Sequence, residues 1–257
     1  MHDSQRLRAE IDLSLLQTHQ PVAWSVFGQN AASLAADALR AVAINELTDR
    51  AGLKILARTI ARLRVRPTHG AVFEPLRPIE LAECLRMIEQ TTAALLSCAC
   101  EIGAATAGGD AAQRILLAQF GCHLGMACQL TDDIVGIWGR TDTPCAPHYS
   151  DLATRKMTPP IVAALTSESP FAAELRDLYG AGGRDPATLA TVAHLAELTG
   201  ARAWAEAEAD NQWAAAMSCL SGLPPDTDAE ELRLLSIWAR QRRCAGRRTV
   251  WIDQQEI

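Results

Sequence analysis

The sequence predicts an all-α protein, and three observations carry that reading. The long segments place apolar residues at helical spacing rather than in strict alternation. Alanine and leucine, both strong helix formers, dominate a composition that is 49% hydrophobic and only 5% aromatic. Stretches rich in proline and glycine, such as "RPTHG" at 66–70 and "GAGGRDP" at 180–186, punctuate the periodic segments. With 257 residues the chain can bury one large core or two small ones. No internal repeat or low-complexity segment divides it, so residues 1–257 read as one domain.

The elements follow in order. Residues 29–48 carry Leu34, Ala38, Leu39, Val42 and Leu47 at helical positions, and 52–63 give a shorter helix. "RPTHG" interrupts, and Pro75 and Pro78 interrupt again. A helix runs from about Glu80 to Thr106 and stops at Gly108-Gly109; the next runs from about Asp110, a good N-cap, to Trp138. Residues 139–150 form a loop. Helices are expected near 159–166 and 170–178, then a turn at 180–186. Residues 186–221 read as one long helix with Gly200 as a kink, "GLPPDTD" breaks it, and 228–244 make the last helix before an irregular tail at 245–257. Segments 93–106 and 115–135 are apolar nearly all round, which belongs at the centre of a bundle rather than on its surface.

Composition narrows the function. A formal charge of −6 lacks the basic excess of a nucleic-acid binder. The eight cysteines form no CxxC pair and sit largely in apolar helical patterns, as buried free thiols do in a reducing compartment. The N-terminus is charged and lacks a signal-peptide apolar run. The most apolar run, 115–138, is broken by Gln119, His123, Gln129 and two aspartates, so it is a poor transmembrane segment. A cytoplasmic protein is expected. His69, His123, His148 and His194 show no ligand spacing, Trp204, Trp213 and Trp238 suit a core or an interface, and Arg242, Arg243, Arg247 and Arg248 suit a solvated face.

The informative stretch is "LGMACQLTDDIVGIWG" at 124–139. Asp132 and Asp133 lie within an apolar segment, where an ionised carboxylate costs several kcal/mol unless paired, hydrogen-bonded or metal-bound. On a helix the two point about 100° apart and can border one cavity. Gln129, three and four residues earlier, shares their face. Paired carboxylates are hard oxygen ligands suited to Mg²⁺, which keeps other positions for water and substrate phosphate. The alternative is structural: the aspartates face solvent, or pair with Lys156 or an arginine. Gly121 and Gly125, one turn apart, would let a neighbouring helix approach closely.

"GCHLGMACQLTDDIVGIWG", followed by "SDLATRKMTPPIVAAL" at 150–165, resembles the second aspartate-rich region of the trans-isoprenyl diphosphate synthases, the polyprenyl synthetase family. The stretches "PVAWSVFGQNAASLAADALRAVAINEL", "FEPLRPIELAECLRMIEQTTAALLSCACEIGA" and "GARAWAEAEADNQWAAAMSCL" resemble further helices of that family. The resemblance implies an isoprenoid-synthase-type bundle around a central apolar cavity. It implies Mg²⁺ as cofactor and condensation of an allylic diphosphate with isopentenyl diphosphate. It gives Asp132, Asp133 and Lys156 catalytic roles, with Asp132 and Asp133 as metal ligands. Gln129, Thr92, Asp151 and Lys156 would bind substrate. The family also forms dimers, so a homodimer or a heterodimer with a full-length synthase is expected.

The sequence also departs from the family pattern. Residues 1–20 diverge and contain no DDxxD, so the chain reads as N-terminally truncated and without the first aspartate-rich motif. The family's central Lys-Thr aligns with Thr91-Thr92, its Gly-Gln with Arg66-Pro67, and the loop lysine with Ala146. The last acidic position of the motif is Gly136. Three functions are therefore weighed: an active prenyltransferase, a non-catalytic partner subunit of an active synthase, and a degenerate family member.

Overall fold

A computed structural model of the chain describes residues 26–64, 79–139, 149–225 and 227–241. The divergent N-terminus, the loop around Ala146 and the tail with its arginines lie outside the described residues. Among those described there is no strand.

The helices are α1 (Gln29–Glu46), α2 (Arg50–Arg64), α3 (Leu81–Ile88), α4 (Ala94–Thr106), α5 (Ala111–Trp138), α6 (Ser150–Ala153), α7 (Pro159–Thr166), α8 (Phe171–Ala181), α9 (Pro186–Leu198), α10 (Ala201–Ser221) and α11 (Glu230–Gln241). Helix α5, 28 residues long, is the centre of the bundle: α4 packs along one side of it and α10 along another. This is where the all-round apolar pattern placed it. Asp110 caps α5 as expected. Its carboxylate accepts from the Gln113 amide at 2.8 Å, and the Gln113 side chain accepts from the Asp110 amide at 2.9 Å, a reciprocal capping box.

Two core regions flank α5. Near its C-terminal end Ile137 packs with Leu152, Ile161, Leu175, Leu189 and Val192, from α6, α7, α8 and α9. Nearer its N-terminal end Phe120 and Leu124 pack with Ala216 and Leu220 of α10.

The segment from Leu81 to Thr106 departs from a plain α-helix in one place. Residues Glu89–Ala93 make a π-helical turn between α3 and α4. That turn and the start of α4 lie against two glycines of α5. A Cβ on Gly125 would stand 2.6 Å from the Ala93 Cα, and one on Gly121 would stand 2.5 Å from the Leu96 carbonyl oxygen. The close helix approach expected from the G-x-x-x-G spacing is therefore real.

Three expectations are corrected. Residues 186–221 are two helices rather than one kinked helix; Gly200 at φ 83° takes a left-handed conformation that ends α9 and starts α10. The loop expected at 139–150 already closes into α6 at Ser150. The helix expected at 170–178 continues to Ala181, so the following turn begins at Gly182, φ 74°. The cysteines that are described are free thiols, buried or half-buried, as expected.

The glycine packing makes a clean stability test. Gly125→Ala forces a methyl into backbone and should cost about 1–3 kcal/mol in urea unfolding. Gly103 lies within α4, and a methyl there would meet nothing within 4 Å, so Gly103→Ala should instead gain about 0.5–1 kcal/mol. Equal effects at the two positions would contradict this packing.

Candidate active site

The site is built around Asp133, which is only 2% exposed in the interior of the bundle. Because successive helical residues rotate by about 100°, its neighbour Asp132 faces solvent instead. The two aspartates therefore occupy different environments: one inward, one outward.

The inward carboxylate is heavily engaged. Its Oδ1 accepts from Lys156 Nζ at 3.1 Å and from Gln129 Nε2 at 3.1 Å. Gln129 is one turn earlier on α5, as the spacing required. Its other end, Oε1, accepts from the Thr92 hydroxyl at 2.8 Å. Thr92 belongs to the π-helical turn, so the irregular backbone and the glycine contact both serve to bring this hydroxyl to α5. Single π turns of this kind are frequent at functional sites.

Lys156 reaches a second carboxylate, Asp151, at 3.6 Å. Asp151 is 3% exposed and sits in α6. Gly136 makes room for it: a Cβ there would run into the Asp151 carboxylate. The glycine at the last motif position thus has a physical reason, because that carboxylate fills the space a side chain would take. The approach to Lys156 is a tight turn in which Arg155 adopts φ 55° and the Lys156 amide donates to the Asp151 carbonyl at 2.9 Å.

Burial pushes the Asp133 carboxyl above its ordinary range, while Lys156 and the Gln129 amide pull it back. Burial likewise pushes Asp151 up to about 6 against the opposing pull of Lys156. Burial alone would lower Lys156, but the two carboxylates outweigh it and hold the ammonium well above the usual lysine range. The negative charge is felt further out: burial and then Asp133 push the buried Cys84 thiol of α3 up to about 12.

The structure thus brings together Thr92, Gln129, Asp133, Asp151 and Lys156 from the π turn, α5, α6 and the turn after α6. Asp132 flanks them on the solvent side. Among the described residues no group of three or more histidine, cysteine or acidic side chains is gathered as a ready-made metal cage. The donor set nevertheless suits Mg²⁺, because the outward carboxylate is a hard oxygen ligand and Mg²⁺ commonly takes one or two protein carboxylates, completing its shell with water and phosphate. Two contributors escaped the sequence reading. Cys84 gives no spacing signal, and Tyr179, whose hydroxyl donates to the Lys156 carbonyl at 3.2 Å, comes from α8, far away in sequence. His123 has a structural partner, Gln212, at 2.8 Å.

The site is thus an all-α bundle whose central helix presents Gln129 and Asp133 to a lysine from the turn after α6. The polyprenyl synthetase family model matches residues 11–196, and the chain belongs to that family. The (2E,6E)-farnesyl diphosphate synthase of Mycobacterium bovis is 35% identical over 229 residues, covering 85% of this chain and 64% of that protein. The geranylgeranyl diphosphate synthase of Mycobacterium tuberculosis is 35% identical over 233 residues, covering 88% and 66%. This chain therefore spans a little under two thirds of the length of those relatives. The polyprenyl synthetase from Streptomyces coelicolor superposes with a TM-score of 0.77 at 29% identity, over 93% of this chain and 75% of that one. A polyprenyl synthase from Caulobacter crescentus, complexed with calcium and isoprenyl diphosphate, superposes at 0.72 with 27% identity, over 94% and 75%.

Removing the lysine tests the ion pair. Lys156→Met leaves Asp133 buried without its cation, and because the lysine side chain is 40% exposed the loss should be about 2–3 kcal/mol at neutral pH. Protonation of the stranded carboxylates should relieve it; Asp151, no longer held down by the lysine, then protonates above the value of about 6 it has beside Lys156, so the loss should be greatest in alkaline buffer and shrink as pH falls toward 6. A pH-independent loss below about 0.5 kcal/mol in denaturant titrations would contradict a structural ion pair.

Proposed function

We propose that the protein is a Mg²⁺-dependent prenyltransferase acting in isoprenoid biosynthesis, joining an allylic diphosphate to isopentenyl diphosphate. The observation that carries this reading is the Lys156 ammonium held between Asp133 and Asp151 beside the outward Asp132. It is supported by the family match and by the Caulobacter relative that holds calcium and isoprenyl diphosphate.

The chemistry needs concentrated positive charge at a departing diphosphate and a dry pocket for the allylic cation. Mg²⁺ held at the outward Asp132, with the buried Asp133 behind it anchoring Lys156, would supply positive charge to the diphosphate. Lys156, poised at the same place, adds a permanent cation, since its neighbours keep it charged. Gln129, fixed by Thr92 on one side and Asp133 on the other, orients the diphosphate or its bound water. Asp151, at 3.6 Å, gives the ammonium a second carboxylate beside its 3.1 Å hydrogen bond to Asp133. Consumption of isopentenyl diphosphate with a farnesyl or geranyl primer, followed by pyrophosphate release, tests this directly. Asp132→Ala should lower the rate about 10²-fold or more, as loss of comparable electrostatic groups does elsewhere. Undiminished turnover in that variant would sink the assignment.

A second reading, a partner subunit of an active synthase, is favoured by two observations. The family's central lysine is Thr91 here, and one relative, the heptaprenyl diphosphate synthase component 2 of Geobacillus stearothermophilus, is 32% identical over 159 residues, 62% of this chain. Both readings share an assembly. Helix α1 leaves Leu34, Leu39 and Val42 more than half exposed, an apolar face of the kind that marks a protein contact. We place a second copy of the chain, or a full-length synthase, on that face, with the protein working in the cytoplasm; among the described residues no helix is long and apolar enough to cross a membrane. Light scattering at micromolar concentration should give a dimer, and Leu34→Asp with Leu39→Asp should give a soluble monomer. A monomeric parent would contradict the self-association.

A further inference from the structure

The lysine at the site is set by more than its two carboxylates. Its backbone is tied at both ends: the amide donates to the Asp151 carbonyl at 2.9 Å, and the carbonyl accepts from the Thr158 amide at 3.0 Å and from the Tyr179 hydroxyl at 3.2 Å. Tyr179 is 3% exposed and its ring packs in the core with Leu152, Ile161 and Leu175. The preceding residue, Arg155, is locked onto the same helix end. Its guanidinium stands 6.0 Å from the Tyr179 ring centroid and donates to the Gly180 carbonyl at 3.3 Å. A Cβ on Gly182 would stand 3.3 Å from the Arg155 Nη1, and Gly182 has a left-handed φ of 74°. Arg155 itself holds φ 55°, a conformation that L-residues keep only when their surroundings impose it.

We infer that the C-terminal end of α8 is a platform for the lysine turn, with Tyr179 and Arg155 as positioning residues that aim the Lys156 ammonium at the diphosphate. The inference rests on the reading of Lys156 as a diphosphate-binding cation. The physical reason is that a lysine side chain is long and flexible, so the reach of its ammonium is only as defined as the backbone that carries it. The two carboxylates attract the ammonium from the wall of the bundle. The platform fixes where the backbone stands, and the lysine side chain remains 40% exposed, where a ligand can meet it.

Tyr179→Phe tests this, because it removes the hydroxyl and keeps the buried ring. Two readouts are needed. In native-state amide exchange the Lys156 and Thr158 amides should exchange about tenfold faster, while the amides within α8 stay protected. In calorimetry with Mg²⁺, inorganic pyrophosphate should bind about five- to tenfold more weakly, and this penalty should vanish in a Lys156→Gln background. Arg155→Gln should reproduce both effects through the other half of the platform. Unchanged exchange at Lys156 in Tyr179→Phe overturns the inference. So does a binding penalty that persists undiminished without Lys156, since the tyrosine would then act elsewhere. If the parent protein binds no pyrophosphate with Mg²⁺, the functional reading fails, and the exchange measurement alone decides whether Tyr179 holds the lysine turn.

Discussion

A carboxylate buried in the middle of an apolar bundle is the constraint around which this molecule is arranged. Asp133 would cost several kcal/mol if it stood alone in α5. Each element nearby answers that cost with a specific contact. Lys156 supplies the charge, Gln129 the second hydrogen bond, and Thr92 holds Gln129 in the orientation that makes the bond. Asp151, which also needs the lysine, turns a simple pair into a three-membered cluster with one net negative charge once both carboxylates ionise. With Asp132 on its solvent side, the cluster adds negative charge where the proposed divalent cation would sit. This links the energetics of the fold to the chemistry proposed for the site.

The scaffold places these groups by removing side chains as much as by adding them. Gly121 and Gly125 let α5 touch the backbone of α4 and of the π turn, and that contact carries Thr92 to Gln129. Gly136 opens the third space, which Asp151 enters. All three glycines lie on the helix that bears the aspartates. A bulkier residue at Gly125 or Gly136 would press on the π turn that carries Thr92 or on Asp151 itself rather than merely loosen the core. The lysine arrives from the other direction, on a turn braced by α8.

Much of this was legible in the sequence because it is local or periodic. Helix α5, its Asp110 cap, the shared face of Gln129 and Asp133 and the close approach at Gly121 and Gly125 all follow from spacing along one helix. The role of Lys156 beside the aspartates came from the family pattern and from charge balance. What could not be read depends on contacts between distant segments or on single backbone angles. The break at Gly200 looks like a kink until its left-handed φ is seen. A π turn has no sequence signature that separates "EQTTA" from an ordinary helical turn. Tyr179 is an unremarked aromatic on a helical face until the fold sets its hydroxyl under Lys156. The division between Asp132 and Asp133 lies in between: rotation along a helix implies that adjacent residues diverge, but which one faces inward depends on where α6 packs.

The central claim is that the outward and inward aspartates with Lys156 form a diphosphate site that works through a divalent cation. Calorimetric titration with a non-reactive allylic thiodiphosphate, with and without Mg²⁺, addresses it most directly. The account predicts binding only when Mg²⁺ is present, and loss of that dependence in Asp132→Ala with little change in the unliganded melting temperature, because Asp132 faces solvent. Equal binding with and without Mg²⁺, together with a large loss of stability in Asp132→Ala, would contradict it.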